Sequence, residues 1–62
     1  MEIFTQQQLE DKARELLVDH ASDAKVAEWF LVLDGLTLKM VILYKLPNVK
    51  GVYALQRVLV TP

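Results

Sequence analysis

From Trp29 to Leu46 the chain reads WFLVL, then Asp34-Gly35, then LTLKMVILYKL. An aspartate followed by glycine supplies the unusual backbone of a tight two-residue turn, and apolar runs on either side are the material of paired strands. The pattern predicts a β-hairpin with Asp34 and Gly35 as its loop. In that register Leu33 faces Leu36, Leu31 faces Leu38, Trp29 faces Met40 and Ala27 faces Ile42, so one side is wholly apolar. The other side pairs Val32 with Thr37, Phe30 with Lys39, Glu28 with Val41 and Val26 with Leu43. A slip of one residue would destroy this difference between faces, which fixes the facing.

Upstream, Thr5 fits a helix N-cap, with Gln8 three residues on to complete a capping box. Phe4 and Leu9 stand where a hydrophobic staple would join them. Leu9, Ala13, Leu16, Leu17 and His20 then recur at spacings of three and four, one stripe along an α-helix. Glu10 precedes Arg14 in the favourable i,i+4 order. The helix is expected to end between Asp19 and Ala24, where acids oppose its dipole.

Downstream, Pro47, Asn48, Lys50 and Gly51 signal a second turn, and VYALQRVLVT is rich in β-branched residues. It should return antiparallel to the middle strand, with Tyr53, Leu55 and Leu59 toward the helix and Val52, Ala54, Val58 and Val60 on the other side. The predicted fold is α+β: one N-terminal amphipathic helix packed on a three-stranded antiparallel meander, in a single domain over residues 1–62. An alternative makes residues 23–33 a second helix, with Val26, Phe30 and Leu33 on one side and Asp34-Gly35 as its C-cap, giving two helices and then a hairpin. The shortness and aromatic content of that run favour the strand.

Composition narrows the chemistry. Cysteine is absent, so neither a disulfide nor a thiolate metal site braces the fold, and a reducing compartment fits. Met1-Glu2-Ile3-Phe4 and the polar Gln6, Gln7 and Gln8 do not resemble a signal peptide. The longest apolar runs, Trp29 to Leu33 and Met40 to Tyr44, are five residues each, far below the roughly 20 that cross a bilayer. A soluble, cytoplasmic protein without membrane association is expected.

His20, beside Asp19 and near Ser22 and Asp23, invites a reading as a general base with Ser22 as nucleophile. Adjacent helical residues diverge by about 100°, however, and His20 ends an apolar stripe, so it reads as a packing residue. One histidine cannot build a zinc site, and Glu10, Asp11, Glu15 and Asp19 lack calcium-loop spacing. Gly35 and Gly51 are isolated, unlike the glycines of a phosphate loop. The chain is therefore expected to have no catalytic residue, cofactor or metal.

What remains is association. Residues 1–34 hold all eight acids and only three bases, whereas 35–62 hold Lys39, Lys45, Lys50 and Arg57 with no acid. Those four basic residues suggest a nucleic-acid-binding regulator, with a sheet surface that tracks phosphates. The sequence pI of about 5.6 counts against it. The favoured expectation is a non-enzymatic interaction or regulatory module that docks onto another protein. It is also expected to form a homodimer or higher oligomer, because so short a chain buries little core and one helix covers one sheet face. Val26, Phe30, Val32, Val41 and Leu43, on the opposite face, are the expected interface.

Overall fold

The computed structural model describes residues 4–60. Met1 to Ile3, and Thr61, which the sequence assigns to the last strand, lie outside the described residues. The order is helix α1 (Gln6–His20), then strands β1 (Lys25–Asp34), β2 (Thr37–Lys45) and β3 (Tyr53–Val60). The strands form one antiparallel sheet in the order β1-β2-β3. This is the α+β meander expected from the sequence. Because residues 25–34 are strand, the two-helix alternative is excluded.

The helix begins as its sequence dictates. Gln8 N–H donates to Thr5 Oγ1 at 3.1 Å, and Thr5 N–H donates to Gln8 Oε1 at 2.8 Å, which closes the capping box. At the other end Ala21 N–H donates to Leu17 O at 2.7 Å in an extended C-cap. The predicted Glu10–Arg14 pair does not form. Arg14 reaches Asp11 at 3.4 Å, and Glu10 accepts from Gln6.

Leu9, Ala13, Leu16 and Leu17 meet Met40, Ile42 and Tyr44 of the central strand, with Val26, Trp29, Leu55 and Leu59 packed around them. Met40 and Ile42 are wholly buried. The three core residues of β2 alternate along the strand, as a half-covered sheet requires.

The hairpin differs from the sequence expectation in its turn. Asp34 pairs with Thr37, so the loop is Gly35-Leu36 instead of Asp34-Gly35. Gly35 takes φ +62 at the first loop position and Leu36 does not share a positive φ, as in a type II′ turn. Moving the loop by one residue moves every pairing by two. Leu33 therefore faces Leu38, Leu31 faces Met40 and Trp29 faces Ile42. Since side chains alternate with period two, these residues keep their predicted face.

A β-bulge between Val26 and Glu28 inserts Ala27 as an extra residue and sets Val26 opposite Tyr44 instead of Leu43. The bulge overturns the predicted facing of Val26, which packs on the helix side against the core. A second irregularity, between Leu38 and Lys39, leaves Leu59 unpaired on β3. In the connection before β3, Pro47 precedes Asn48 at φ +64, the arrangement of a type II turn.

Candidate protein-interaction surface

The helix covers one face of the sheet and leaves the other open. On the open face the alternation places Glu28, Phe30 and Val32 of β1, Lys39, Val41 and Leu43 of β2, and Ala54, Gln56 and Val58 of β3. They form a grid of three rows, Glu28–Leu43–Ala54, Phe30–Val41–Gln56 and Val32–Lys39–Val58. Val41 lies at the centre and is buried by its neighbours, while Phe30, Val32 and Val58 stand between 37% and 51% exposed around it. Gln56 of β3 lies directly opposite Val41 and Lys39 lies beside it along β2, while Glu28 takes a corner; Lys39 Nζ lies 3.5 Å from Asp34 Oδ2. Six of these nine residues are apolar and share one face, crossed by Lys39 and Gln56, which makes it a candidate docking surface.

Four of the five residues predicted for the interface, Phe30, Val32, Val41 and Leu43, thus share this face. Val26 does not, because the bulge turns it inward. Val58 and Ala54 join the face from β3 through their pairings with Lys39 and Leu43.

The four basic residues are not gathered. Lys39 is on the open face and engaged with Asp34; Lys45 ends β2 opposite Lys25; Lys50 lies in the connection to β3. Arg57 pairs with Met40, on the helix-facing side of the sheet. A phosphate backbone following one face would meet Lys39 and Lys45 but not Arg57.

His20 closes the helix end over the sheet. Its Nε2 lies 3.0 Å from the hydroxyl of Tyr44, with the rings edge to face at 5.6 Å. Tyr44 in turn stacks on Tyr53 at 5.8 Å. This is a packing contact that gives a buried phenol its hydrogen-bond partner. Among the described residues, no three His, Cys, Asp or Glu side chains are grouped to hold a metal, and no helix is long and apolar enough to cross a membrane.

The sequence reading missed an apolar extension at the hairpin tip. Leu33 is 71% exposed and Leu36 76%, while Leu31 is 39% exposed on the helix-facing side. The cause is a mismatch of lengths. A helix of 15 residues spans about 22 Å, whereas a strand of ten spans about 33 Å, so the hairpin overhangs it.

No protein-family model matches the chain, and no curated protein and no solved structure is significantly similar to it.

Proposed function

We propose that this chain is a non-enzymatic protein-interaction module of regulatory type, whose open sheet face docks onto another protein. The observation that carries the reading is the imbalance of apolar surface. Among the described residues twelve large apolar side chains are exposed, against six apolar residues buried. Scattered singly they would need no explanation, but Phe30, Val32 and Val58 share one face with Val41 and Leu43. Burial of this patch by a partner removes apolar surface from water at about 25 cal/mol per Å². The module also self-associates, so that its partner meets an oligomer.

The test uses Leu43→Lys combined with Val58→Glu, which places charge at two apolar positions of the face and leaves the sequences of α1 and β1 unchanged. A protein captured by the parent chain is purified and its affinity measured for both forms, with helical circular dichroism as the folding control. The expected result is loss of binding by the double variant. Equal affinity for parent and variant would refute docking through the open face.

A further inference from the structure

The free edge of β1 is shaped to receive a strand. Residues that flank a two-residue hairpin loop exchange both backbone hydrogen bonds, and bonded and non-bonded pairs then alternate. Counting from Asp34–Thr37, the bonded pairs are Val32–Lys39, Phe30–Val41 and Glu28–Leu43. The N–H and C=O groups of Trp29, Leu31 and Leu33 are therefore directed away from β2, toward the sheet's edge. The opposite edge is different. On β3, Arg57 sits on the helix-facing side and Leu59 breaks the ladder, both of which discourage a further strand. From Trp29 to Leu33, β1 has no charge, proline or bulge.

A second observation lies along the same edge. A groove of about 480 Å³ runs between α1 and β1, lined by Glu10, Arg14, Leu17, Val18, Val26 and Trp29. Leu33 and Leu36 project from the hairpin tip, beyond the helix, at the other end of the strand. Leu33 shares the helix-facing side with Trp29. The groove and Leu33 are thus at opposite ends of one strand, on one side of one sheet, with Leu36 in the turn beyond.

We infer that a second copy of this chain adds antiparallel to β1 across a two-fold axis at Leu31, forming a six-stranded sheet in which each hairpin tip fills the other's groove. Leu31 lies opposite its symmetry mate, and Trp29 lies opposite the partner's Leu33. The unpaired backbone groups of Trp29, Leu31 and Leu33 all find partners in this register. The next residues bring the partner's Leu36 toward Val26. A foreign strand would satisfy the edge but leave both leucines in water, whereas a second copy satisfies edge, tip and groove twice over. This is the self-complementarity that a two-fold interface requires. One feature of the register is unfavourable: Glu28 meets the partner's Asp34 at each end.

The pairing deepens the interaction-module reading by assigning its self-association, and it leaves the open face free for a different protein. Sedimentation equilibrium tests it on the whole chain, made by chemical synthesis with and without a methyl group on the amide nitrogen of Leu31. The parent is expected to be a dimer, and the methylated chain should dissociate with an affinity at least about tenfold weaker while its helical signal is unchanged. Should methylation unfold the chain, Leu33→Ser with Leu36→Ser, at two highly exposed positions, is expected to weaken the dimer instead. Glu28→Lys should tighten it several-fold by facing the partner's Asp34 with an opposite charge. A parent that stays at 7.1 kDa, a dimer indifferent to both tip and methyl variants, or a Glu28→Lys chain no tighter than the parent would overturn the proposal. The Leu43→Lys, Val58→Glu variant should dimerise normally, which separates this pairing from docking on the open face; a dimer lost in that variant but kept in the methylated chain would also overturn it.

Discussion

At the scale of single residues, Thr5 carries the clearest local signal in the chain, because its hydroxyl accepts from Gln8 N–H at an otherwise unpaired helix start. Replacing it with alanine should lower stability by about 1 kcal/mol, read as a shift of the urea midpoint at unchanged slope. Gly35 is constrained by conformation instead of contact: no atom lies within 4 Å of a Cβ built there, yet its φ of +62 disfavours any L side chain. Gly35→Ala should therefore destabilise by about 1–2 kcal/mol despite the open space, measurable by the same denaturation. Tyr44→Phe removes the partner of His20 Nε2 at the partly buried end of the helix. A loss of about 1 kcal/mol is expected, with the hairpin pairings intact by NMR. The cap was legible in the sequence because it depends on four neighbouring positions. The His20–Tyr44 bond was not, since it joins residues brought together only by packing.

At the scale of elements, the helix stripe and the two faces of the hairpin were legible because periods of 3.6 and 2 are properties of the sequence itself. The loop position was less so. Asp-Gly and Gly-Leu both offer a positive φ to a tight turn, and shifting between them preserves the facing of Trp29, Leu31 and Leu33, so hydrophobic pattern alone does not choose. The bulge at Ala27 had no signal, and it misplaced Val26. Its geometry makes a direct prediction: deletion of Ala27 should remove the unpaired residue while leaving Val26 opposite Tyr44 and Glu28 opposite Leu43. Cross-strand NMR contacts between Val26 and Tyr44 in the deleted chain would check it, and their loss would mean that the bulge is needed to seat the strand on the helix.

For the whole molecule, the core amounts to one side of one strand. Met40, Ile42 and Tyr44 are buried beneath Ala13 and Leu17, so truncating any of them removes a large share of the interior. Ile42→Ala should cost about 2–5 kcal/mol, enough to populate the unfolded chain at room temperature, visible as a collapse of amide dispersion. The overhanging tip was legible in principle from the unequal lengths of helix and hairpin, but its alignment with the groove needed the fold. The neighbour-to-neighbour order of the meander bears also on how quickly the chain acquires its structure. β1 meets β2 across a two-residue loop and β2 meets β3 across one short connection, so most of the sheet zips without closing a long segment. Such a mixed topology is expected to fold more slowly than a helix bundle and faster than an all-β sandwich. The helix closes on the sheet over longer separations, the widest of them at the groove lined by Leu9 of the helix and Leu59 of β3. Mutations around Leu59 should accelerate unfolding while leaving the folding rate nearly unchanged, the signature of a contact made after the transition state.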